Sequence, residues 1–87
     1  MTSEIDELPA GLKQTFSEVL RIPVDEVNMN SSSKTTRNWD SLRHVELVVA
    51  IEEKYDISFS QVEVFALTTA RGFRDMLLRK NVDLSKM

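Results

Sequence analysis

Residues 39–55 read Trp39-Asp40-Ser41-Leu42-Arg43-His44-Val45-Glu46-Leu47-Val48-Val49-Ala50-Ile51-Glu52-Glu53-Lys54-Tyr55. An Asp-Ser pair closes a polar stretch and opens an apolar run of helical length, which signals a helix N-terminus. At about 100° per residue, Leu47, Val48, Ile51 and Tyr55 share one arc, with His44 at its N-terminal end. Leu42, Val45 and Val49 share a second arc centred roughly 130° away. Glu46, Glu52 and Glu53 flank this second arc, while Arg43 lies apart from it with Lys54. A surface helix of a globular domain carries one apolar stripe. A second stripe edged with carboxylates predicts a helix over 41–54 that packs inward through one face and docks a partner through the other.

Outward from this helix, the chain offers three more. Pro9 suits a first helical turn, where its missing N–H is not needed, and Leu12, Phe16, Val19 and Leu20 then lie on one face of a helix over 9–20. Gly11 weakens its start by up to about 1 kcal/mol relative to alanine, and Ile22-Pro23 ends it. A long connection follows, in which Val24, Val27 and Met29 can anchor the first half. Residues 30–38 contain no apolar side chain and read as a mobile loop or linker, which Trp39 closes and pins to the bundle. After Tyr55, the alternation through Ile57 and Phe59 predicts an extended connector with its apolar residues facing the core. A short helix over 60–67 has Val62, Phe65 and Ala66 on one side. Thr68 or Thr69 caps a last helix over 69–80, with Ala70, Phe73, Met76 and Leu77 inward and Arg71, Asp75 and Arg79 as a solvated ion-pair row. Residues 1–8 and the tail after Asn81 are expected to be loose. The expected core is Leu12, Phe16, Leu20, Leu47, Ile51, Phe73 and Leu77.

Eighty-seven residues make one domain with a small core, ordered over about 9–80 and expected to be a monomer. The absence of cysteine and the single histidine exclude disulfides, thiolate metal sites and His clusters. Asp40, Glu46, Glu52, Glu53 and Asp56 match no calcium-loop or zinc spacing, so no metal is expected. The net charge of −3 alternates along the chain, with five acids against one base over residues 46–67. That pattern is not a nucleic-acid footprint. No apolar run approaches a membrane span and the N-terminus lacks a secretion-signal layout, so the expected location is cytoplasmic.

Ser41 and His44 are three apart on one helix and invite a hydrolytic reading. A nucleophilic serine needs a base and an oriented partner, but on a bundle this small the pair would sit on a convex surface with no substrate pocket. The alternative is that Ser41 is itself the substrate of another enzyme. At a helix N-terminus, a phosphodiester attached there would face unpaired N–H groups and the positive end of the helix dipole.

Asp40-Ser41-Leu42, Val45-Glu46-Leu47 and Ile51-Glu52-Glu53-Lys54-Tyr55 resemble the second helix of acyl carrier proteins. The resemblance runs on through Ile57-Ser58-Phe59 and the Thr68-Thr69 start of the last helix, and covers nearly the whole chain. It implies an all-α, four-helix acyl-carrier-protein-like bundle with a long loop between helices 1 and 2 and a short third helix. It further implies that the protein does not catalyse, and that Ser41 bears a 4′-phosphopantetheine donated by coenzyme A, whose thiol holds an acyl group as a thioester. Asp40, Leu42, Val45, Glu46, Val49, Glu52 and Glu53 correspond to the family's partner-facing positions. The implied partners are a phosphopantetheinyl transferase, an acyl-loading ligase or acyltransferase, and downstream synthases or transferases of fatty-acid, polyketide or other specialised acyl metabolism. Trp39 replaces the small residue usual in fatty-acid-synthesis carriers, and Arg43 and His44 replace acidic or neutral polar ones. Those departures favour a dedicated carrier over a housekeeping one. A peptidyl or aminoacyl carrier of the same fold, and an unmodified helical adaptor, are the alternatives.

Overall fold

The computed structural model describes residues 8–82 and contains four α-helices there: α1 Ala10–Leu20, α2 Ser41–Tyr55, α3 Gln61–Ala66 and α4 Ala70–Arg79, with a 3-10 turn over Val24–Glu26. The architecture is the all-α bundle expected. Residues 55–60 form no strand, and among the described residues β pairing is confined to one isolated bridge between Ser32 and Thr69.

Local chemistry sets where the helices start. Asp40 Oδ1 accepts from the Arg43 N–H at 2.9 Å and Thr69 Oγ1 from the Gly72 N–H at 2.9 Å; each takes up one of the orphan donors of a first turn. Ser60 and Glu63 cap α3 reciprocally, a Ser-x-x-Glu signal that stands in the sequence. Arg21 and Asp56 end α1 and α2 in left-handed backbone, with φ of 58° and 56°. The next N–H then reaches back across the last turn, Ile22 to the Ser17 carbonyl and Ile57 to that of Glu52.

The seven residues expected in the core, Leu12, Phe16, Leu20, Leu47, Ile51, Phe73 and Leu77, are all 0% exposed. Phe73 is the hub. Its ring centroid lies 5.4 Å from Phe16, 6.1 Å from Phe59, 6.0 Å from His44 and 6.4 Å from Trp39, so rings from α1, α2, α4 and the connections on either side of α2 meet there. Ile57 and Phe59 of the α2–α3 connector turn partly into this core, as the alternation predicts. Where α1 crosses α2, a Cβ on Gly11 would stand 3.2 Å from Lys54 Cε and 3.6 Å from the Tyr55 hydroxyl. The only tight neighbour is the flexible end of the exposed Lys54 side chain. Tyr55 Oη has no hydrogen-bond partner among the described residues, and burial pushes its phenol above its ordinary value.

Several points correct or extend these expectations. Residues 30–38 are not a linker but are tied down by polar groups. Ser31 is buried and accepts from the Ala70 N–H, the Ser33 N–H reaches the Thr68 carbonyl, and Asn38 donates from Nδ2 to the Leu20 carbonyl at 2.8 Å. Arg37 forks onto both carboxylate oxygens of Glu26. Secondly, Val62, Phe65 and Ala66 share one side of α3 as expected, and that side faces solvent. Val62 is 77% and Phe65 73% exposed, while Val64 and Leu67 pack inward. A helix of six residues is too short for its own periodicity to choose a face. Thirdly, Asp75 pairs with its neighbour Arg74 at 2.9 Å, so the row through Arg71 and Arg79 does not form. Finally, Arg43 does not lie apart from the acidic rim: Nη1 bonds Glu46 Oε1 at 2.9 Å, because a long guanidinium stem spans the i, i+3 spacing. Val24, named as an anchor, is half-exposed, whereas Val27 and Met29 are buried. The loose ends expected for residues 1–8 and beyond Asn81 lie outside the described residues, except at Leu8 and Val82, which pack against the core.

Candidate functional site

Asp40, rather than Ser41, is the N-cap of α2, and this division of labour matters. The capping carboxylate occupies the Arg43 N–H, so Ser41 at the first helical position has nothing local to do. Its side chain is exposed, and its hydroxyl has no partner among the described residues. The N–H groups of Ser41 and Leu42 likewise carry no hydrogen bond there, as first-turn donors do.

Beside Ser41 runs a groove of about 430 Å³, lined by Ser33, Trp39, Asp40, Ser41, His44, Val45, Val64, Phe65 and Thr68. It lies between the first turns of α2, the end of α3 and the tied-down loop. Trp39 and His44 are joined at its inner side. The Trp39 indole N–H donates to His44 Nδ1 at 3.1 Å, and His44 Nε2 meets the Val64 carbonyl oxygen at 2.8 Å. An indole N–H only donates and a carbonyl only accepts, so this pairing puts the proton of the neutral ring on Nε2. The rings of Trp39 and His44 stack at 21° with centroids 6.2 Å apart. His44 thus bridges the loop, α2 and α3.

The same bonds decide the hydrolytic reading. Both nitrogens of His44 are engaged away from Ser41, so no base stands ready to take the serine proton. Ser41 has no activating partner of its own among the described residues. No group of three His, Asp or Glu side chains among the described residues is placed to hold a metal ion.

The second stripe of α2 emerges as the sequence indicates: Leu42, Val45 and Val49 are exposed. Val62 and Phe65 of α3 add exposed apolar surface that the α2 pattern did not include; Val45 and Phe65 face one groove. The carboxylates differ in what they are free to do. Glu46 is paired with Arg43, and Glu52 Oε2 accepts the Phe59 N–H at 2.8 Å, so one oxygen fixes the α2–α3 connector. Glu53 is exposed with no partner among the described residues. Glu63 lies 3.1 Å from Lys80, the residue that follows α4, and its carboxyl is held below the ordinary range, first by the Ser60 N–H and then by Lys80.

A free hydroxyl at the lip of a partly apolar groove, beside two unpaired N–H groups, suits a covalently tethered arm that leaves through a phosphodiester. The family described as "Phosphopantetheine attachment site" matches residues 10–77. An acyl carrier protein of Buchnera aphidicola subsp. Schizaphis graminum is 36% identical over 70 residues, covering 80% of this chain and 89% of that protein. One from Acidothermus cellulolyticus is 34% identical over 77 residues, covering 88% of this chain and 92% of that protein.

Proposed function

Because this chain belongs to the acyl carrier protein family, and is accordingly a phosphopantetheine-bearing carrier and not an enzyme, we propose that Ser41 is its attachment site. The observation that carries this reading is the freed hydroxyl: Asp40 caps α2, and Ser41 stands exposed and unpartnered at the edge of the groove. A phosphopantetheinyl transferase would transfer the phosphopantetheine of coenzyme A to the Ser41 oxygen, breaking the pyrophosphate bond and releasing adenosine 3′,5′-bisphosphate and the hydroxyl proton. The arm supplies the thiol that carries an acyl group as a thioester. The residues of this chain hold the helix N-terminus that the phosphodiester would face and leave the serine accessible.

Leu42, Val45 and Val49, extended by Val62 and Phe65, form the surface we assign to visiting enzymes, with Asp40, Glu46, Glu52 and Glu53 at its edge. Such a surface fits a partner with an apolar centre and a basic rim, a combination that favours fast, transient encounters. Arg43, tied to Glu46, makes this face less acidic than its carboxylate count suggests. That supports a dedicated carrier of specialised acyl metabolism, loaded by its own ligase or acyltransferase. No helix among the described residues is long and apolar enough to cross a membrane, in keeping with a carrier that works in the cytoplasm.

The test is incubation with coenzyme A, Mg²⁺ and a promiscuous transferase, followed by intact mass. The parent protein gains one phosphopantetheine and Ser41→Ala gains none. Modification of the alanine variant would overturn the assignment, and no modification of the parent would leave an unmodified adaptor as the correct reading.

A further inference from the structure

We infer that Trp39 and His44 bar the way from Ser41 into the bundle, so that this carrier holds its cargo in the outer groove and takes compact, partly polar acyl groups rather than long linear ones. The inference rests on Ser41 as the attachment site.

An apolar group tethered at Ser41 has two places to escape water: the groove beside it, or the space between α2 and α3 behind that groove. The second is occupied. Trp39 is 4% exposed and sits edge-on to Phe16 with centroids 5.5 Å apart, and Phe73 lies against both Trp39 and His44. The seam is also bonded shut, since His44 of α2 meets the Val64 carbonyl of α3 and is held in place by the Trp39 indole. A chain passing inward would have to part that bond and displace two rings from a close-packed aromatic cluster. It would strand an indole N–H and imidazole nitrogens away from water, and stranded polar groups are costly.

The groove asks for none of this. Val45, Val64 and Phe65 supply apolar surface, and Phe65 is so exposed that a cargo lying on it would cover it at little cost in rearrangement. The hydroxyls of Ser33 and Thr68 line the same groove and have no partner among the described residues. They suit an oxygen or nitrogen on the cargo. A groove of about 430 Å³ is at the small end of small-molecule sites, and it is continuous with Ser41.

The test loads the full chain with acetyl-, hexanoyl- and dodecanoyl-phosphopantetheine from the matching acyl-coenzyme A, using a promiscuous transferase and checking each by intact mass. Amide ¹H–¹⁵N spectra and thermal unfolding are then compared along the series. Cargo-dependent shifts are expected at Ser33, Val45, Val64, Phe65 and Thr68, with Phe16, Leu20 and Phe73 unchanged from acetyl to dodecanoyl and no climb in Tm with chain length. Shifts at Phe16 and Phe73 that grow with chain length would overturn the inference. His44→Ala breaks the bond that closes the α2–α3 seam, so its dodecanoyl form is expected to shift Phe16 and Phe73 where the parent's does not; a loaded, folded variant with a silent core would also overturn it. The parent series needs no substitution, so it decides the matter even where His44→Ala does not fold. Failure of the parent to gain any mass would instead sink the attachment reading, which keeps the two failures distinct.

Discussion

The Trp39–His44 bond makes a sharp energetic prediction. Trp39→Phe keeps an aromatic ring beside Phe16 and Phe73 but removes the indole N–H, and the part-buried His44 Nδ1 then loses its donor. A stranded buried acceptor costs about 1–3 kcal/mol, and the smaller ring adds a void. A loss of about 2 kcal/mol lowers the Tm of a domain of this size by about 8–16 °C. The void and the hydrogen bond can be separated by a double-mutant cycle with His44→Leu. Each single variant strands a partner, whereas the double variant strands neither end of the Trp39–His44 bond. The Val64 carbonyl is lost to both His44 variants and cancels. The double variant is therefore expected to be less destabilised than the sum of the singles by about 1 kcal/mol. Urea unfolding of all four proteins, followed by circular dichroism at one pH and salt concentration, measures the difference. Additivity within about 0.3–0.5 kcal/mol would mean that the bond contributes nothing and that Trp39 acts by bulk alone.

Asp40→Ala is expected to cost about 0.5–2 kcal/mol as a lost cap, while Ser41→Ala stays within about 0.5 kcal/mol of the parent as an exposed surface change; equal losses would mean that the serine shares the capping. Ile51→Ala, at a fully buried position, should cost about 2–5 kcal/mol, whereas Val49→Ala leaves stability nearly unchanged and slows acyl loading. An unfolded Val49→Ala protein would put the two faces of α2 the wrong way round. Glu46→Lys should slow loading most at low salt, with the difference shrinking above about 0.1 M, where the screening length is about 10 Å; parental loading at low salt would remove the docking role of α2. Because the folded-state carboxyl of Glu63 is held below its ordinary value, its contribution to stability is complete above about pH 4.3 and is lost as pH falls through the lower folded value. Acid titration of Tm should therefore fall less steeply for Glu63→Gln than for the parent.

The helices and the core were legible because they rest on signals a few residues long. The spacing of Leu12, Phe16 and Leu20, or of Leu47 and Ile51, names the buried face directly, and the 0% exposure of each follows from it. Asp40, Ser60 and Thr69 bond N–H groups three residues away, so the helix starts are local too. The order of residues 30–38 was not legible, since a search for apolar anchors cannot see one built from backbone bonds to Thr68, Ala70 and Leu20. Part of that signal was present nonetheless, in a run of Ser, Thr and Asn that favours side-chain-to-backbone turns. The Arg43–Glu46 pair is not visible on a helical wheel, which locates Cβ atoms and not the reach of a guanidinium stem.

What the sequence alone determined about this protein is the two-striped helix that opens on Asp40-Ser41-Leu42, and with it the all-α bundle, the inward arc and the serine left at the helix start. Those properties depend on contacts along one helix, where spacing in sequence is spacing in space. Only the tertiary structure decided what His44 does, which way Val62 and Phe65 point, and which carboxylates of the rim remain free. His44 meets Val64 twenty residues on, and Glu52 reaches Phe59 across a helix end. Such bonds form when folding brings distant backbone groups to the same place, and a polar side chain takes whichever partner it finds there, which no local pattern encodes.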